Sequence, residues 1–250
     1  MSRSIVGIIQ ARMGSTRLPG KSMMTLAGKP LIERVLERLS FVNEINNLVL
    51  AVPDTLEDKQ LIKVASKMGI ATFIGSEEDL VDRYYKAAIK FKADYIVRVP
   101  ADNPVSHPTE IDRIIKHHIS LQRPGFSSNL AEVFNSGYPD GIGAEIFDLE
   151  LLEEVWVKES DLKKREHVHL NFFDYASQIQ VNQDWCPIST IDSPLNWARP
   201  DIILDVNTQK QYDYMNELYS DLNDKNKFFT MSEIIPWHDA RVRRVENHEL

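Results

Sequence analysis

Between Arg12 and Lys21 the chain places two arginines, a lysine, two hydroxyls and two glycines: Arg12, Gly14, Ser15, Thr16, Arg17, Gly20 and Lys21. Glycine lets backbone N–H groups crowd an anion, and the cations supply charge. Arg3, Arg12, Arg17, Lys21 and Lys29 all precede the first acid, Glu33, in a chain whose net charge is −8. Such a concentration of cations in an acidic chain reads as a triphosphate cradle. It is not a P-loop. Five residues separate Gly14 from Gly20 where that motif allows four, and Gly28 and Pro30 prevent the long helix that a P-loop lysine opens. The dinucleotide fingerprint Gly-x-Gly-x-x-Gly is also absent. An isolated basic turn can equally be a solvated one, but this turn follows the first strand of a doubly wound pattern, where ligands collect.

Two carboxylates complete the chemistry. Asp102 lies in Pro100-Ala101-Asp102-Asn103-Pro104, just past one apolar run, and Asp205 ends another. In such sheets the carboxyl ends of the strands converge on one crevice. Two carboxylates facing a triphosphate suit Mg²⁺, which prefers oxygen ligands and substrate phosphates. Taken singly, Asp102 is also a turn former and Asp205 a helix cap.

The elements that must position these residues alternate. Ile5 to Ile9 is a β-branched run, predicted as a buried central strand. A helix starts at Pro30 with Leu31, Ile32, Val35, Leu36 and Leu39 on one face. Strands are predicted over 47–52, 70–74 and 94–99. Between them lie a helix with Thr55 and Asp58 as its capping pair and Gly69 as its stop, and a helix striped by Leu80, Val81, Tyr84, Ala88 and Phe91. A further helix follows Pro108, with Ile111, Ile114, Ile115 and Ile119 inward. The rhythm predicts an α/β fold of three layers, a mostly parallel twisted sheet between helices. It fails over 126–183, where Gly137 to Gly143 is turn chemistry. That stretch is predicted as a small inserted subdomain dividing a nucleotide-binding domain into 1–125 and 184–250. The rhythm returns with a strand over 202–206 and a helix capped by Thr208, with Gln211 three residues on.

Bulk properties exclude several classes. A hydrophobic content of 43% and a charged content of 26% over 250 residues are those of a globular protein with a sizeable core. The net charge of −8 argues against a nucleic-acid or anionic-membrane partner. Cys186 is the only cysteine, so no internal disulfide forms, which fits a reducing cytoplasm. Gln10 and Arg12 interrupt the first apolar run too early for a signal segment or a membrane span. The final Asn247-His248-Glu249-Leu250 is faintly like a retention signal without matching one. The expectation is a soluble, cytoplasmic protein.

Residues 10–21, Gln-Ala-Arg-Met-Gly-Ser-Thr-Arg-Leu-Pro-Gly-Lys, with Leu-Ala-Gly-Lys-Pro-Leu at 26–31, resemble the opening of the sugar-acid cytidylyltransferases, which include the acylneuraminate and Kdo enzymes. Residues 75–85, 98–104, 140–145 and 165–168 resemble the spore coat polysaccharide biosynthesis protein F branch of that family. The resemblance implies a GT-A-like nucleotidyltransferase fold and a homodimer through the inserted subdomain. By position, Arg12, Ser15, Arg17 and Lys21 would hold the phosphates of CTP, with Gly14 in the same loop, and Ser76 and Arg83 would approach the cytosine. Asp102 would bind Mg²⁺, with Asp205 as the second ligand. Arg12, Lys21 and Asp102 would carry catalysis, and Glu145, Arg165 and Glu166 would meet the acceptor, with contact to the partner subunit as the alternative for Arg165 and Glu166. Two positions depart from the family. Asn207 stands where many members carry Asp, and Gly143 replaces an Asp frequent in the branch.

The implied reaction is attack of a sugar-acid hydroxyl on the α-phosphorus of CTP with release of pyrophosphate, in surface-glycan precursor synthesis. A glycosyltransferase using a nucleotide sugar on a similar fold, and a non-catalytic nucleotide-binding homologue, are the alternatives. His167 and His169, two residues apart, point to different sides of a helix and are expected to pack or hydrogen-bond rather than chelate together.

Overall fold

The computed structural model describes residues 3–246; Asn247 to Leu250, with their signal-like pattern, lie outside the described residues. Strands β1 (Ile5–Gln10), β2 (Asn47–Pro53), β3 (Ala71–Gly75) and β4 (Tyr95–Pro100) run parallel, with β1 between β2 and β4 and β3 on the far side of β2. Helices α1 (Leu31–Leu39), α2 (Lys59–Lys67) and α3 (Leu80–Lys90) make the crossovers. A fourth, α4 (Pro108–Ser120), follows β4.

The period-two alternation of β1 explains the layering. Ile5 and Ile9 pack on one face of the sheet with α1, α2 and α4, while Val6 and Ile8 pack on the other with α3. All five apolar residues expected inward on α1 are buried. The expected three-layer, mostly parallel α/β fold is the one observed.

Residues 126–183 join the same sheet. β5 (Phe126–Ser128) and β6 (Glu145–Asp148) extend it beyond β4, with β6 antiparallel to both neighbours, and β7 (Ile188–Ser189) closes that edge in the order β7-β5-β6-β4-β1-β2-β3. Phe126, Phe147 and Phe172 stack together in one core with Val6, Ile8 and Tyr84. α5 (Leu149–Lys158) and α6 (Leu162–Glu166) follow β6.

One expected element differs. Residues 202–206 form no strand of the sheet but an extended segment with a single bridge from Ile203 to Asp140. The apolar alternation is real, for Ile202, Leu204 and Val206 are buried while Ile203 is 53% exposed. Its backbone partners are loops: Leu204 N–H donates to Asp140 O and Val206 N–H to Asp102 O. α7 (Gln209–Leu222) then starts at Thr208, whose hydroxyl accepts Gln211 N–H as expected. α8 (Met231–Glu246) completes the chain. Among the described residues no helix is long and apolar enough to cross a membrane.

Candidate active site

β1 and β4 are adjacent and parallel, with Gln10 opposite Pro100, so the basic loop and the Asp102 turn leave the sheet at the same end. β6 runs the other way, which brings its first residue, Glu145, opposite Arg98 and to that end too. The segment before α7 crosses there with Asp205 and Asn207, because Val206 is tied to Asp102. These elements enclose a cavity of about 470 Å³.

Arg12, Ser15, Arg17 and Lys21 all line it, with Asp102 and Asp205 across from them. The loop is folded on itself by backbone bonds. Met13 O accepts both Ser15 N–H and Gly20 N–H, and Gly20 (φ +73°) turns the chain into a short 3-10 turn, Lys21–Met23. Lys21 Nζ donates to Asp102 Oδ2 at 2.5 Å, to Val206 O at 2.8 Å and to Asn207 Oδ1 at 3.1 Å. Arg17 Nη2 donates to Asn207 Oδ1 at 2.7 Å, and Arg12 Nη2 pairs with Glu166 Oε1 at 3.3 Å. Asn207 is thus a hub between two loop cations. Its own amide donates to Asp205 Oδ2, and Gln211 donates to Asp205 Oδ1.

A third carboxylate stands with these two. Asp140, from the Gly137–Gly143 turn region, lines the cavity. Burial, with the charges of Asp205 and Asp102, pushes its carboxyl up to about 7. Burial, then the charge of Asp102, also raises Asp205. Carboxylates that hold one another up in this way favour a cation between them. Among the described residues no group of three or more His, Cys, Asp or Glu side chains is arranged to hold a metal ion. Two carboxylates whose cation draws its other ligands from phosphate and water suit a hard divalent ion.

The wall beside α3 holds the clearest unmatched group. Arg83 is 3% exposed and lines the cavity, yet its Nε and Nη1 have no hydrogen-bond partner. Burial lowers its pKa to about 10. Glu77 lines the same wall. Ser76 and Arg165 lie behind it. Ser76 Oγ accepts Asp79 N–H, and Arg165 clamps Asp79 Oδ2 and the carbonyls of Trp156 and Glu159. Gly14 likewise lies outside the lining and presents its place in the loop only through backbone.

The far end is a buried polar network. Glu145, fully buried, accepts from Arg98 Nη1 at 2.6 Å and from Tyr175 OH at 2.9 Å. Arg98 Nε also donates to Gln10 Oε1. Glu166, His167 and His169 complete that end. Burial lowers His167 and takes His169 down to about 4, so both imidazoles are neutral near pH 7.

Of the residues expected at the site, Arg12, Ser15, Arg17, Lys21, Asp102, Asp205, Arg83, Glu145 and Glu166 line one cavity; Asp140, Glu77 and Arg98, to which the sequence assigned no role, line it too, as do His167 and His169, which were expected only to pack or hydrogen-bond. The signals for Asp140 were its place in a turn motif and in the stretch 140–145 that resembles the family branch, neither of which assigned it a role. Gly143, by contrast, is required locally. A Cβ there would fall 2.0 Å from Asn129 O, because Asn129 is bonded to Ala144 on both its N–H and its side-chain oxygen.

A family model described as cytidylyltransferase matches residues 6–235. The chain is 29% identical over 226 residues to the spore coat polysaccharide biosynthesis protein SpsF of Bacillus subtilis, spanning 88% of each chain. It is 35% identical over 114 residues to the 3-deoxy-manno-octulosonate cytidylyltransferase of Trichlorobacter lovleyi, covering 45% of this chain and 44% of that one. The solved structure of a cytidylyltransferase from Leptospira borgpetersenii superposes with a TM-score of 0.84 at 26% identity, over 97% of this chain and 96% of that one.

Proposed function

The chain belongs to the cytidylyltransferase family, and from that premise we propose that it transfers CMP from CTP to a hydroxyl of a sugar acid, releasing pyrophosphate, to make a precursor of a surface polysaccharide. The observation that carries this reading is the gathering of Arg12, Arg17 and Lys21 with Asp102 and Asp205 around one cavity. The SpsF and octulosonate-enzyme likenesses support the acceptor class and the polysaccharide setting.

The phosphates lie along the loop, where Arg12, Ser15, Arg17 and Lys21 offset their charge and Gly14 lets the backbone approach. Arg83 gains from the nucleoside the acceptor atoms that the protein does not provide, and Ser76 shapes that wall by anchoring the start of α3. Asp102 and Asp205 would hold Mg²⁺, which neutralises phosphate charge and lowers the pKa of a nearby hydroxyl. No side chain forms a covalent intermediate. The residues act by positioning and by charge. Glu145 and Glu166 face the acceptor end, and Arg165, which clamps Asp79 at the start of α3, braces the neighbouring wall that carries Arg83.

On this reading 1–125 and 184–250 bind the nucleotide and 126–183 closes the acceptor end. Exposed Phe134, Val157, Leu162 and Ile179 support pairing of two chains through 126–183, which light scattering on a sizing column checks. The deciding experiment is a pyrophosphate-release screen of the four nucleoside triphosphates against a panel of keto-sugar acids, with and without Mg²⁺. Release is expected with CTP and a sugar acid. Release with no acceptor preference, or cleavage of a nucleotide sugar without pyrophosphate, overturns the reading.

A further inference from the structure

We infer that Asp58, which does not line the cavity, is a positioning residue that sets the shape of the phosphate loop through the Met13 peptide. This rests on the reading of that loop as the seat of the CTP phosphates.

The motif Thr55-x-x-Asp58 reads as a helix-capping pair, in which Thr55 caps and the acid three residues later answers it. Half of that is present. Thr55 Oγ1 accepts Asp58 N–H at 3.2 Å and donates to Asp58 Oδ2 at 2.6 Å. Asp58 itself makes no side-chain cap of α2. Its other oxygen, Oδ1, turns towards the site and accepts Met13 N–H at 2.7 Å. Asp58 is 2% exposed, so water competes little for this charge-assisted bond.

Met13 is the knot of the loop. Its carbonyl accepts Ser15 N–H at 2.9 Å and Gly20 N–H at 3.1 Å, closing residues 13–20 on themselves. Its N–H ties the backbone of this closed turn to the segment that leads into α2. Arg12 stands immediately before the knot, Ser15 and Arg17 lie within the closed turn, and Lys21 follows it. One buried carboxylate therefore orients the peptide from which all four phosphate-facing side chains take their bearings. Within the turn only Leu18 is buried in the core, while Ser15, Arg17 and Gly20 are not buried, so backbone hydrogen bonds carry much of its geometry.

The test uses the full chain and two probes, CTP and CMP, each titrated calorimetrically in Mg²⁺ buffer, with hydrogen exchange over residues 11–21. Asp58→Ala is expected to weaken CTP about tenfold or more and CMP less than about threefold, because CMP lacks the outer phosphates. Exchange over 11–21 accelerates. Asp58→Asn keeps an oxygen for Met13 N–H and an amide for Thr55, and restores CTP affinity to within about threefold of the parent. If Asp58→Ala does not fold by circular dichroism, Thr55→Val, which frees Asp58 Oδ2, is expected to show the same selective loss in smaller measure. Equal weakening of CTP and CMP, unchanged exchange, or failure of Asp58→Asn to rescue overturns the inference. Absence of CTP binding by the parent chain overturns the functional reading instead, while faster exchange in Asp58→Ala still upholds the positioning of the loop by Asp58.

Discussion

Lys21 Nζ lies 2.5 Å from Asp102 Oδ2, which makes the cation assigned to the phosphates and the carboxylate assigned to the metal each other's counter-ion across the cavity. Both side chains are largely shielded, at 14% and 19% exposure, so neither charge is well served by solvent. Phosphate and a divalent cation would exchange with this pair as a unit.

Lys21→Ala and Asp102→Ala are each expected to reduce CTP turnover by roughly 10²–10³, the loss typical of one preorganised charge contact. Pyrophosphate release under saturating acceptor checks this. Most of the activity surviving in either variant would remove that residue from the role assigned.

Arg83 should respond with opposite signs in two assays. Its guanidinium is buried with two unpartnered nitrogens, so Arg83→Met relieves a desolvation cost and is expected to stabilise the chain by about 1–3 kcal/mol. The same change is expected to weaken CTP about tenfold or more. Urea unfolding and CTP titration measure the two. A variant both less stable and equally able to bind CTP would mean that Arg83 is a structural group.

Much of this site was legible because it depends on local chemistry. The loop glycines and cations are contiguous, and strand ends in a doubly wound sheet converge wherever the β-α rhythm holds. Asp140 and Asp58 were not legible, since each acts through partners far away in sequence: Asp205 and Asp102 for the first, Met13 for the second. Residues 202–206 read as a strand because burial alternates there. The alternation comes from lying against loops, not from pairing in the sheet. The break in rhythm at 126 reflects β6 entering antiparallel between β4 and β5, which needs no crossover helix.

His169 predicts an acid limb. Its pKa is near 4 in the folded chain against an ordinary 6.5, with burial as the leading cause. Between those values the unfolded chain takes up a proton that the folded chain refuses. The stability it contributes is therefore complete above pH 6.5 and is lost as the pH falls towards 4, by up to about 3 kcal/mol. His169→Gln cannot titrate. The stability difference between parent and variant, from urea unfolding at intervals between pH 7 and 4.5, is expected to move in the variant's favour as the pH falls. A constant difference would show that His169 keeps an ordinary pKa.

The Arg98–Glu145 pair gives a prediction about how the acceptor end is built. Glu145 is fully buried and both its oxygens are engaged, by Arg98 and by Tyr175. Removing one partner of such a pair leaves a buried charge, so Glu145→Ala is expected to destabilise by about 3–5 kcal/mol. The double change Arg98→Met with Glu145→Met removes both charges and is expected to recover most of that loss, because apolar replacements of similar volume commonly match a buried pair. If the double variant is stable, its affinities separate two roles. A raised KM for the acceptor with CTP binding intact places the pair at the acceptor; unchanged values for both confine it to support of the cavity floor. A double variant no more stable than Glu145→Ala would show that Tyr175 and Gln10, rather than the mutual charge, make this network indispensable.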